Sequence, residues 1–91
     1  MNIEIAESRL DGNAIGGLLQ EIFALEMTTA VGTCAHCGAV NEVGRVHVYV
    51  HAPGTVVRCP DCEQVLMKIV RAKGRYWIEM SGTRSLEFAA P

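Results

Sequence analysis

Residues 34–62 read CAHCGAVNEVGRVHVYVHAPGTVVRCPDC and hold all four cysteines of the chain, in two C-x-x-C pairs with 21 residues between them. A C-x-x-C pair wraps a tight turn that aims both sulfurs at one point, and two such turns supply the four tetrahedral ligands that a structural zinc ion takes, with Zn–S bonds of about 2.3 Å. The spacing therefore predicts one Zn2+ per chain, held by Cys34, Cys37, Cys59 and Cys62. Gly38 can adopt positive φ after the first pair and free backbone amides to face sulfur, and Pro60 stiffens the second turn. His36 lies between two cysteines and is expected at the exposed tip of its turn. His47 and His51 are four residues apart, roughly 13 Å at strand rise, too far to share an ion.

Two other chemistries use paired thiols. A disulfide switch needs accessible thiols of depressed pKa, and Arg58 beside Cys59 is the one feature in its favour. Rubredoxin-type iron carriers resemble the layout, with two knuckles each usually followed by glycine; Gly38 fits that pattern and Glu63 departs from it.

Outward from the cysteines, RVHVYVH alternates, with Val46, Val48 and Val50 on one face and His47, Tyr49 and His51 on the other. It reads as a half-buried strand. APGT places Pro53 and Gly54 at the centre of an expected type II turn, and TVVRC is the return strand of a hairpin that brings the second pair toward the first. A second hairpin follows, Val65 to Arg71 and Arg75 to Met80 about a turn at Ala72-Lys73-Gly74, and TRSLEF offers a short edge strand. In the second hairpin either Trp77 or the Tyr76, Ile78, Met80 set faces the core; a core role is expected for Trp77.

Before the cysteines, Ile15, Leu18, Leu19, Ile22 and Phe23 form one helical stripe. Asp11 or Asn13 caps its start, and Thr28-Thr29 end it between Met27 and Ala30. Gly16 and Gly17 each cost about 1 kcal/mol relative to Ala, and close packing of the helix on a sheet is the expected reason for them. The fold class is thus small α+β: an N-terminal amphipathic helix followed by an antiparallel ribbon of three to five strands. Residues 1–91 form one domain, 1–30 the segment with the helix and 31–91 the ribbon with its second hairpin.

Ninety-one residues bury a small core, and a metal ion is one way to reinforce it. The start MNIEIAESRL carries no basic, then apolar, secretory pattern, and no run approaches the ~18 apolar residues of a membrane span. A cytoplasmic location is expected, where paired cysteines bind metal more often than they form a disulfide framework. The net charge of −2 divides into −5 over residues 1–42 and +3 over residues 43–91.

Lys68, Arg71, Lys73 and Arg75, around the second hairpin turn, form the best basic patch, and with Arg58 they are the candidate contacts for nucleic acid or an acidic partner. The His47, Tyr49 and His51 face, with Arg58 near it on the return strand, makes the case for base stacking; low aromatic content and overall acidity argue for a solvated face. No catalytic constellation or small-molecule substrate is evident, and a closed thiolate set leaves no position for water on the ion. The expectation is a non-enzymatic module that binds another protein, with a nucleic-acid-binding ribbon as the alternative and an iron electron carrier as the third.

The knuckles with the hairpin between them, about Gly32 to Arg71, resemble the zinc ribbon. More narrowly, LDGNA before a helix, APG at a hairpin tip and VVRCPDC resemble a family of short bacterial, mostly actinobacterial, proteins of unknown function. That resemblance implies a zinc ribbon behind an N-terminal helix and carries no established activity.

Overall fold

The structure, a computed structural model, describes residues 9–91; the first eight residues of the N-terminal segment lie outside it. The chain begins with a two-residue strand β1 (Leu10–Asp11), a 3-10 turn (Gly12–Ile15) and the helix α1 (Gly16–Phe23). Asp11 caps this start as expected, its carboxylate accepting the Asn13 N–H at 3.1 Å. The helix ends with the apolar stripe at Phe23, before the expected end between Met27 and Ala30 at Thr28-Thr29. It stops at Ala24, which takes φ 60° and donates its N–H to the Gln20 carbonyl, and this left-handed step turns the chain so that Met27 and Ala30 are buried, each under 3 % exposed.

Seven further strands follow: β2 (Val31–Cys34), β3 (Val40–Glu42), β4 (His47–His51), β5 (Gly54–Arg58), β6 (Val65–Ala72), β7 (Arg75–Glu79) and β8 (Thr83–Glu87). All pairings are antiparallel. One sheet has the order β1-β4-β5-β6-β7, and a second has the order β3-β2-β8. The expected α+β class is therefore observed, with the five-stranded sheet formed by the two hairpins and β1, and a second sheet built around the first cysteine pair. TRSLEF does supply an edge strand, but on the second sheet, where β8 pairs with β2.

Alternation sets the faces. Val48, Val57, Met67 and Ile69 point inward and are buried with Ile15 and Leu19 from the helical segment. The opposite face carries His47, Tyr49 and His51 on β4, Val56 and Arg58 on β5, Lys68 and Val70 on β6, and Trp77 on β7, following the strand registers. Trp77 is 60 % exposed, so the core role expected for it does not hold. The inner face of β7 belongs to Tyr76 and Ile78, and Ile78 with Met80 packs against the core.

Two further readings are corrected by the backbone. His51 pairs with Gly54, so Gly54 opens β5 and does not take positive φ; the turn is Ala52-Pro53 with a cis bond between them, the type VI arrangement in place of type II. At Gly16 and Gly17 no sheet comes close. An added Cβ at Gly16 would meet only the Thr28 methyl at 3.2 Å, and at Gly17 nothing within 4 Å. The close approach is at Gly12, where a Cβ would lie 1.7 Å from the Val43 carbonyl oxygen.

Candidate metal centre

Each C-x-x-C pair is the turn of a hairpin. The first runs from the end of β2 into β3. The second joins β5 to β6, which is paired back on it. Since these hairpins belong to different sheets, the meeting point of the two turns is also where the two sheets are joined.

The turns repeat one another bond for bond. Cys34 N–H donates to the Ala39 carbonyl and Gly38 N–H to the Cys34 carbonyl; in the second turn Cys59 N–H donates to Gln64 and Glu63 N–H to Cys59, all at 2.9–3.0 Å. Amides then converge on sulfur. Cys34 Sγ accepts from His36 N–H at 3.3 Å and Cys37 N–H at 3.5 Å. Cys59 Sγ accepts from Asp61 at 3.4 Å and from Cys62. The second cysteine of each turn accepts from the residue two positions on, Ala39 for Cys37 at 3.4 Å and Gln64 for Cys62.

The four sulfurs lie within 4.8 Å of one another. Cys34 to Cys62 is 3.8 Å and Cys37 to Cys59 is 3.7 Å. A disulfide needs about 2 Å. The edge of a tetrahedron with metal–sulfur bonds of 2.3 Å is about 3.8 Å, which is the spacing found. The donor set therefore fits a tetrahedral, sulfur-binding metal ion.

Electrostatics agree with that use. Burial pushes the Cys34 thiol up, but the amides of Cys37 and His36 and the Cys62 thiol outweigh it and leave Cys34 at about 7. Burial pushes Cys59 up. At Cys62 the Gln64 amide pulls down, yet burial and the three neighbouring thiols together push it up to about 12. One thiolate forms easily, and its neighbours resist further negative charge until a cation is present.

Glu63 is the residue whose part was not legible from spacing alone. It stands where the first turn has Gly38 (φ 79°) and takes the same left-handed conformation, φ 64°. A non-glycine residue there is strained by roughly 1–2 kcal/mol. Three groups hold it: His47 Nδ1 is paired with its carboxylate, Tyr49 Oη donates to that carboxylate at 3.2 Å, and the Arg58 guanidinium donates to its carbonyl at 2.8 Å. The departure from glycine thus leaves the two turns alike. A second link was equally silent in the sequence: Asn41 on β3 donates to Asp61 in the other turn at 2.9 Å.

His36 is exposed and outside the sulfur cluster, as expected. The basic residues are not one patch. Arg71 lies on the inner face, paired with Glu21 at 3.1 Å and 5.6 Å from the Tyr76 ring centroid. Lys68 sits opposite Glu79 in register. Arg58 is engaged with Glu63 and lies 6.0 Å from the Tyr49 ring centroid. Lys73 and Arg75 are exposed at the second hairpin's tip.

The chain belongs to a family of unknown function, DUF6510. The match spans residues 6–91 and so takes in the helix, both sheets and all four cysteines. Neither a curated protein nor a solved structure matches it. Among the described residues no helix is long and apolar enough to cross a membrane.

Proposed function

We propose that this DUF6510 chain is a zinc ribbon whose four-cysteine centre is structural and whose exposed sheet surfaces bind another protein, without catalysis. The observation that carries the metal assignment is the pair of sulfur separations, 3.8 and 3.7 Å, set against the ~3.8 Å edge of a zinc tetrathiolate. With four protein ligands the ion keeps no open position for water or substrate, so its contribution is folding free energy. Elemental analysis with a visible spectrum on untagged protein tests this: one colourless zinc per chain supports it, whereas red, iron-loaded protein favours an electron carrier and oxidised, metal-free protein favours a thiol switch.

A nucleic-acid reading draws on Tyr49, His51 and Trp77, which share the outer face with Arg58 and Lys68. It is weakened by the separation of Arg71 to the other face, by Glu79 beside Lys68 and by a net charge of −2. A gel shift that falls steeply with salt, and is abolished by Lys68→Glu with Arg58→Glu, is the result that would favour it.

A further inference from the structure

The five-stranded sheet ends on β7, and among the described residues nothing pairs with its outer edge. β7 follows the two-residue turn Lys73-Gly74, in which both residues have positive φ, 55° and 74°, the type I′ hairpin turn. The residues flanking such a turn form a hydrogen-bonded pair, and pair type alternates from there. Ala72 with Arg75, Val70 with Trp77 and Lys68 with Glu79 therefore bond each other, while Tyr76 and Ile78 direct their N–H and C=O groups away from β6. Edge strands are commonly blunted by a central charge, a proline or a bulge. β7 has none of these; its register with β6 is unbroken, and its charges stand only at its two ends.

The strand RYWIE is complementary to itself when reversed. An antiparallel copy centred on Trp77 sets Arg75 opposite Glu79 of the second copy, Tyr76 opposite Ile78, and Trp77 opposite Trp77. The hydrogen-bond phase agrees, because the outward groups of Tyr76 and Ile78 then face one another, and a shift of one residue would set outward groups against inward ones. Trp77 falls in the non-hydrogen-bonded position, where cross-strand side chains come closest, and aromatic and opposite-charge cross-strand pairs both favour association. At 60 % exposure Trp77 is the large apolar side chain that such a contact would cover.

We propose that the chain forms a two-fold symmetric dimer by antiparallel pairing of β7 with β7 of a second copy about Trp77, joining the two five-stranded sheets into one. This rests on the interaction-module reading and names its partner as the chain itself; it is independent of which metal the sulfurs hold.

Sedimentation equilibrium on untagged, full-length protein over a micromolar concentration series, with zinc content measured on the same samples, tests it. The expected result is a species of twice the chain mass. The chain has a single tryptophan, so a tryptophan exciton couplet in circular dichroism requires two chains and should grow with the dimer. Arg75→Glu or Glu79→Arg alone sets like charges opposite at both ends and should raise the dissociation constant by roughly tenfold or more. The double substitution restores the pairing and should restore the dimer. A monomer throughout, or a dimer with no couplet and no response to these charges, would overturn the proposal, while a zinc-loaded monomer would leave the ribbon reading intact.

Discussion

At position 63 a glutamate occupies a backbone conformation that glycine enters freely, and its side chain is what compensates. The carboxylate meets His47 and Tyr49, and the carbonyl meets Arg58. Glu63→Ala removes the two carboxylate partners, His47 and Tyr49, leaves the Arg58 bond to the carbonyl and keeps the left-handed strain, so it should lower the unfolding free energy by about 1–2 kcal/mol. Glu63→Gly loses the same partners but relieves the strain, and should be more stable than the alanine variant by about 1 kcal/mol. Denaturant titration of both metal-loaded variants checks the order; equal stabilities would mean the strain is not borne there. Single residues were unevenly legible in the sequence. The four clustered cysteines, the Asp11 cap and the exposed His36 follow from local spacing or local chemistry. Glu63 was readable as a missing glycine, but its three partners come from strands 5 to 16 positions away, and only the folded register brings them together.

At the scale of elements, α1 and the 3-10 turn before it are held by tertiary contact. Eight residues make a helix well below the ~12–15 that stand alone in water, so a peptide of residues 9–30 should show little helicity by circular dichroism; strong helicity would contradict this dependence. The glycines of this segment divide sharply. Gly12→Ala would drive a methyl into the Val43 carbonyl and should cost about 2 kcal/mol or more, because backbone must shift. Gly17→Ala faces open space in a helix and should raise stability by about 0.5–1 kcal/mol. Thermal melts of the two variants should move in opposite directions, and a shared direction would refute the packing argument. Sequence pattern located the helix and both hairpins, since apolar periodicity of 3.6 and 2 is a local property. It did not reveal β2 and β3, whose strands of four and three residues are too short to show alternation. Nor could it decide the faces of β7, where Tyr-Trp-Ile is apolar on both sides.

Over the whole molecule, the two cysteine turns connect two sheets that share few other polar links. Thr83 on β8 donates to the Leu66 carbonyl on β6 at 3.0 Å, and Asn41 on β3 to Asp61 in the second turn at 2.9 Å. A metal ion held across the turns would bond two sulfurs of each, and its binding energy would be folding energy. Cys62→Ser, or stripping by a strong chelator, should therefore loosen the β3-β2-β8 sheet and lower the melting temperature by at least ten degrees or so; unchanged stability without metal would contradict a structural role. Protons should compete with the ion. Cys59 and Cys62 are raised above the ordinary thiol value of 9.0, so without a cation both stay protonated at pH 7 and must lose those protons on binding. Metal uptake at pH 7 should release protons, measurable with an indicator dye, and affinity should rise with pH; uptake without proton release would count against thiolate ligation.

The central claim is that Cys34, Cys37, Cys59 and Cys62 together hold one zinc ion. X-ray absorption at the metal edge of the purified protein measures this directly. Zinc with four sulfur neighbours at about 2.3 Å is the predicted result. An iron edge, a shell containing nitrogen or oxygen in place of sulfur, or the absence of bound metal would contradict it.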